Sequence, residues 1–189
     1  MAERRLRPSL LSLFWTPVVA VGSHGADGRL NAQIAVSVFG ASIVPERARL
    51  LCVLYKTNFT HELVTASGSL AVSALEESQT EVLHQLGFVS GRDVDKLAGL
   101  EVETTALGNP VLTDSLGWAD CEVIESYDLG DATAFLAAVR EVRELRDGVP
   151  LVWSKVRREL PQEWQDEWDR KIASDMERSL GSMRWSEPQ

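Results

Sequence analysis

Cysteine and histidine are scarce: the 189 residues hold two of the first and three of the second. Cys52 and Cys121 sit in separate apolar, strand-like runs with no Cys-x-x-Cys or other ligand spacing, which argues against a disulfide framework or a zinc site. A reduced, cytoplasmic chain is expected. His24, His61 and His84 are far apart and also lack ligand spacing. Positive charge is short too: 19 Lys and Arg face 28 Asp and Glu, for a net charge of -9. Broad binding to nucleic acid or anionic lipid needs clustered Lys and Arg, so neither is expected, and any anion must be bound locally. No apolar run approaches the roughly 20 residues that span a bilayer. In the opening "MAERRLRPSLLSLFWTPVVAVG", Arg4 and Arg5 precede an apolar stretch, but Pro8 and Pro17 interrupt it and no small-x-small cleavage site follows. The expectation is a first strand and not an export signal. Gly22, Gly25 and Gly28 do not form a Gly-x-Gly-x-x-Gly fingerprint, and no helical pattern follows them.

What is present suits one domain with a sizeable core, at 44% hydrophobic and 25% charged residues. "PVVAVGSHGADGRLNAQIAVSVFG" reads as two strands around an Asp27-Gly28 turn. "ARLLCVLY" is continuously apolar, so it predicts a strand buried on both faces. "HELVTAS" is helical, with Phe59 and Leu63 one turn apart, "GSLAVSAL" is a strand, and "SQTEVLHQLGF" is a second helix from near Ser78 to Gly87. His84 there reads as a surface or packing residue. Strand candidates follow at "LEVETT" and "ADCEVIESY". Strands with short interposed helices suggest a barrel with helical insertions. "DATAFLAAVREVRELR" is ambiguous: its Ala, Leu, Arg and Glu favour helix, while Thr133, Phe135, Ala137 and Val139 alternate as in a strand. Composition alone tips it to helix. From Pro150 the chain carries four of its six Trp residues with dense charge, and Trp164 and Trp168 stand one helical turn apart. This predicts residues 1–149 as the core of the domain and 150–189 as a helical arm of the same domain.

Two segments carry chemistry. In "YKTNFTHELV", Lys56, Asn58, Thr60 and His61 crowd a strand-to-helix turn. If Asn58 caps the helix, backbone N–H groups near Thr60 and His61 point outward, and the helix end adds about half a positive charge to that of Lys56. That is a site for a phosphate group. In "LNAQIAVSVFGAS", Asn31, Gln33, Ala35 and Ser37 share one strand face by period two. Amides beside small residues leave room for a flat polar ring. Simple helix capping and a plain exposed strand face are the competing readings. Asp93 and Asp95 in "GRDVDK" suggest a metal, but Arg92 and Lys96 beside them favour an ion-paired loop.

With these residues in view, the sequence resembles the flavin reductase-like family, the FMN-binding split barrels that include flavoredoxins and the reductase components of two-component monooxygenases. "NAQIAVSVFGAS", "YKTNFTHELV" and "LGFVSGRDVDKLAG" match three family motifs in order, and the resemblance runs from about Pro17 to Val142. It implies a mainly β fold, a six-stranded antiparallel split barrel that dimerises with FMN near the subunit interface. It implies that Asn31, Gln33, Ala35 and Ser37 line the isoalloxazine and ribityl chain, that Lys56, Asn58, Thr60 and His61 hold the phosphate, and that Ser90, Gly91 and Arg92 close over the ligand. It also turns the late segment at residues 131–145 into a barrel strand.

By the same resemblance the activity is transfer of reducing equivalents from NAD(P)H through FMN to free flavin or a partner such as a monooxygenase or redox protein. No side-chain nucleophile or metal is required, because the flavin carries the electron chemistry. Two positions depart from the family. "GDAT" places Ala132 where many members have a histidine that contacts nicotinamide, and "IVPER" keeps only Pro45 of an Asp-Pro-Pro. The alternatives are a flavoredoxin-like FMN carrier and a non-enzymatic FMN-binding protein. The Trp-rich arm lies outside the resemblance, and packing is the favoured role for its aromatics over a lid on the ring.

Overall fold

Two antiparallel strands, β1 (Val19–His24) and β2 (Leu30–Ala35), open the fold, with Val21 opposite Gln33. Their turn is closed by Gly25 N–H donating to the Arg29 carbonyl, and Gly28 sits at φ 80°, where a side chain would be strained. After β3 (Val38–Gly40) and a 3-10 turn at Pro45–Arg47 come β4 (Arg49–Tyr55), α1 (Phe59–Ser67), β5 (Ser69–Ala74) and α2 (Thr80–Gly87). The chain continues through the short β6 (Val102–Thr104) and β7 (Pro110–Leu112), a long hairpin of β8 (Gly117–Asp128) and β9 (Ala132–Glu144), α3 (Trp153–Val156) and α4 (Gln162–Leu180). This computed structural model describes residues 13–185. The Arg4-Arg5 pair and Pro8, read above against an export signal, lie outside the described residues.

The main sheet has the order β2-β1-β5-β8-β9-β4-β3, and β6 and β7 form a separate pair. Its two edge strands, β2 and β3, are separated in sequence only by Val36 and Ser37, so the sheet has to curl until its edges approach. Val53 N–H donates to the Ser37 carbonyl at 2.9 Å, across that bend. Six strands were expected and seven are found, because the run 30–40 changes partner at the bend: its first part pairs with β1 and its second with β4.

Composition alone misreads residues 131–146. Ala132–Glu144 of this run form β9, held in register between β4 (Leu51 opposite Leu136) and β8, with Phe135 and Ala137 buried inside the barrel. Helix propensity amounts to less than about 1 kcal/mol per residue, and two hydrogen-bonded ladders with burial of a phenyl ring outweigh it. β7 had no sequence signal, since it is three residues long and begins with a proline.

Two cores flank the sheet. Val21, Cys52, Leu54, Leu70, Cys121 and Phe135 fill the barrel. Burial pushes both thiols up to about 12, so neither is a nucleophile near neutral pH. On the outer face, Val18, Ala20 and Ala32 meet Leu83 and Leu86 of α2 and Trp153 and Val156 of α3. α4 closes this layer. Trp164 stacks on His84 at 4.0 Å and Trp168 packs against Trp153 and Phe88, while Trp153 and Trp168 also line a cavity at the open edge of the sheet. His84, read as a surface or packing residue, packs here. No helix among the described residues is long and apolar enough to cross a membrane.

Candidate functional site

At the open edge of the curled sheet lies a cavity of about 360 Å³, walled by β2, the end of β4, the turn into α1, the loop after α2 and one face of α4. A volume of this order holds a small cofactor. Nine of the eleven expected site residues line it: Asn31, Gln33, Ala35, Ser37, Asn58, Thr60, Ser90, Gly91 and Arg92. Lys56 and His61 do not.

The polar face of β2 enters this cavity with its amides already dehydrated. Asn31 and Gln33 are 3% and 7% exposed, and the Gln33 Oε1 has no hydrogen-bond partner among the described residues. A buried acceptor left unpaired costs about 1–3 kcal/mol, so its persistence marks a place for a donor from a ligand. Asn31 Nδ2 donates to Thr60 Oγ1 at 2.7 Å, which ties the polar strand directly to the α1 turn. On its other side Asn31 leaves no room for a side chain at residue 91: a Cβ there would stand 2.6 Å from Asn31 Cγ. Gly91 is required by this close approach.

The loop 90–92 is latched to the turn from two directions. Arg29 donates to the carbonyls of Gly91 and Arg92, while Arg92 donates to the Thr57 carbonyl at 3.1 Å and pairs with Glu62. Both guanidinium groups lie over the Phe59 ring, at 4.9 and 5.5 Å from its centroid. Loop, turn and strand are thereby one connected unit.

The turn differs from its expected geometry. Asn58 occupies the N-cap position with extended backbone, but its side chain makes no capping bond, and the His61 N–H donates to the Asn58 carbonyl at 3.1 Å. Asn58 lines the cavity instead. Lys56 Nζ meets Asp128 Oδ1 at 2.6 Å, and that hydrogen bond, followed by one from the Gly130 N–H, holds the Asp128 carboxyl down at about 2. His61 Nε2 contacts Thr133 Oγ1 at 2.8 Å, and burial, then nearby Lys56, lowers its pKa, so the ring is neutral at pH 7. Neither residue lines the cavity. Ala132 is 4% exposed, lies opposite Tyr55 and is outside the cavity.

The expected ion-paired loop is not formed. Arg92 pairs with Glu62 and neither Asp93 nor Asp95, and Asp95 accepts from the Leu97 N–H at 3.0 Å. Lys96 is 5% exposed and donates to the carbonyls of Leu86 and Val89 at the end of α2. Burial, with Lys171 nearby, lowers it to about 7. Sequence reasoning also missed the α4 wall of Lys171, Asp175 and Arg178, although their spacing of four and three residues on a helix was a readable signal.

The charged residues lining the cavity are Arg92, Lys96, Lys171 and Arg178 against Asp175 alone. Arg92 is paired with Glu62 and Lys96 is lowered to about 7, so the excess positive charge comes from Lys171 and Arg178, which share Asp175, in a chain of net charge -9. The described residues contain no group of three or more His, Cys, Asp or Glu able to hold a metal ion. A neutral polar face joined to a cationic rim fits a flat heteroaromatic ring bearing a phosphate.

Known proteins are similar to this chain in sequence and fold. A high molecular weight rubredoxin from Moorella thermoacetica is 30% identical over 67% of this chain, which spans 55% of that protein. A ferric-chelate reductase (NAD(P)H) from Archaeoglobus fulgidus is 30% identical over 68% of this chain and 76% of its own. The reductase subunit of a flavin-dependent monooxygenase from Rhodococcus jostii is 27% identical over 92% of this chain and 89% of its own. Among solved structures, an FMN-binding protein from Thermus thermophilus with bound 1-cyclohex-2-enone superposes with a TM-score of 0.65, at 25% identity over 72% of this chain and 75% of its own. The model of the flavin reductase like domain matches residues 11–160, and the chain belongs to that family.

Proposed function

We propose that this protein is an NAD(P)H-dependent flavin reductase that holds FMN in the cavity between β2 and the α1 turn. One observation carries the reading: a buried amide with an unpartnered oxygen, Gln33, opens into the same cavity as Asn58 and Thr60. Gln33 and Asn31 meet the polar edge of the ring, with Ala35 and Ser37 leaving it space. Asn58 and Thr60 meet the phosphate, with Lys56 and His61 behind them, and Ser90, Gly91 and Arg92 cover the ribityl chain. Flavin, when bound, accepts a hydride and passes on electrons singly or in pairs. The protein supplies position, exclusion of water by the 90–92 loop, and positive charge toward the negative charge that reduction leaves on the ring.

The names of the relatives support nicotinamide as donor and a monooxygenase as a recipient of the reduced flavin. A homodimer is part of the proposal: Tyr55, Ile124, Tyr127 and Leu129 are exposed toward the β8–β9 end of the sheet, an apolar surface suited to a second copy. So are a cytoplasmic location and the membership of residues 150–189 in the same domain. A second reading, an FMN electron carrier that does not use nicotinamide, is favoured by one observation, Ala132 at the position where the family resemblance expects histidine. Equilibrium titration of the purified protein with FMN, read by flavin fluorescence, tests the cofactor. Saturable binding at one site per chain is expected, and a protein that is colourless and does not bind added FMN refutes the proposal.

A further inference from the structure

α4 carries six carboxylates, Glu163, Asp166, Glu167, Asp169, Asp175 and Glu177, yet the face it turns to the cavity presents Lys171 and Arg178 with Asp175 between them. Lys171 Nζ meets Asp175 Oδ2 at 2.5 Å, and Arg178 pairs with the other oxygen of the same carboxylate. One acid thus holds two bases side by side and neutralises only one of them. Lys96 stands close enough for Lys171 to lower its pKa, and among the described residues its head group donates to the carbonyls of Leu86 and Val89. The stripe is half-buried: the side chains of Lys171 and Asp175 are 25% and 17% exposed, while Arg178 reaches the mouth at 54%. Trp15, 42% exposed, lines the same cavity and offers a ring face.

This cationic wall belongs to a different part of the cavity from the α1 turn. It is built against the end of α2, where Gly87 packs on Ile34 and Trp168. Ile34 lies on the face of β2 opposite to Asn31 and Gln33. A mononucleotide whose phosphate occupies the α1 turn leaves unmatched the positive charge of this wall that Asp175 does not neutralise. Resting on the flavin reductase reading, the remaining anionic reactant is the hydride donor, whose pyrophosphate carries two charges next to an adenosine ring. We propose that Lys171 and Arg178, oriented by Asp175, form the subsite for the pyrophosphate of the nicotinamide dinucleotide. The C-terminal helix is then a substrate-selecting wall as well as a packing element.

The test uses the full chain saturated with FMN, and ADP-ribose as a donor fragment that cannot react. Calorimetric binding of ADP-ribose and steady-state KM for NADH are compared for the wild type, Lys171→Ala, Arg178→Ala, the double variant and Lys171→Arg. Charge-assisted hydrogen bonds to an anion are lost, so the double variant should weaken ADP-ribose and raise the NADH KM by about tenfold or more, with kcat little changed. Lys171→Arg should restore most of the affinity, and the melting temperature and FMN affinity of each variant should stay near wild type. Unchanged ADP-ribose affinity in the double variant overturns the inference, as does a loss confined to FAD relative to FMN, which would assign the stripe to a flavin pyrophosphate. A wild type that binds FMN but not ADP-ribose also overturns it, while a wild type that binds no flavin refutes the underlying function.

Discussion

Replacing Gly91 by Ala probes the join between the two halves of the proposed flavin site. The added Cβ would stand 2.6 Å from Asn31 Cγ and 3.0 Å from Nδ2, well inside van der Waals contact. Asn31 is 3% exposed and cannot swing into solvent, so the methyl group must displace its amide and break the 2.7 Å bond to Thr60 Oγ1. Breaking a buried hydrogen bond and leaving its partners unpaired costs about 1–3 kcal/mol, which is about 5- to 150-fold in affinity if the loss falls on flavin binding. The assay is FMN titration of wild type, Gly91→Ala, Asn31→Ala and the double variant. In the double variant the clash has been removed, so Gly91→Ala should have almost no effect in the Asn31→Ala background. Wild-type affinity in Gly91→Ala, or full additivity of the two substitutions, would refute the coupling of the polar strand to the 90–92 loop.

Other outcomes follow from the same geometry. Gln33→Leu should leave the ligand-free melting temperature unchanged or raised, because it removes an unpaired buried oxygen, while weakening FMN; a lowered melting temperature with FMN affinity intact would contradict this. Asp128→Asn should release Lys56 toward the turn and tighten FMN a few-fold, whereas Lys56→Ala should weaken it, and fluorescence titration would show neither change if Lys56 has no part in phosphate binding. Lys96 has a folded pKa near 7 against an ordinary 10.5, so the unfolded chain binds more protons between those values. Stability should therefore rise with pH from about 7 to 9 more steeply in the wild type than in Lys96→Met, as read by thermal melts across that window; parallel profiles would contradict a buried, depressed lysine.

Much of the cavity lining was legible because its signals are local. The period-two placement of Asn31, Gln33, Ala35 and Ser37 needs only a strand, and the crowding of Asn58 and Thr60 at a helix start needs only the next element. What sequence could not convey depended on long-range packing. Lys96 looked like part of a charged loop, yet the fold places it under the end of α2, donating to the carbonyls of Leu86 and Val89. Lys56 was read as a positive charge at the turn, and it is held by Asp128, 72 residues away. The α4 stripe was visible as a helical spacing, but nothing in residues 171–178 said which face would meet a cavity built mainly by β2 and the 87–92 loop. In β9, local propensity pointed to helix, and only the ladders to β4 and β8 decide for strand.

Anaerobic addition of NADH or NADPH to the FMN-loaded protein, followed by visible absorbance, tests the central claim most directly. The account predicts that the oxidised flavin bands bleach within the mixing and turnover time and return when air or an electron acceptor is admitted. Flavin that stays oxidised with either nucleotide in millimolar excess, yet bleaches with a chemical reductant, would contradict a nicotinamide-dependent reductase and leave an electron carrier in its place.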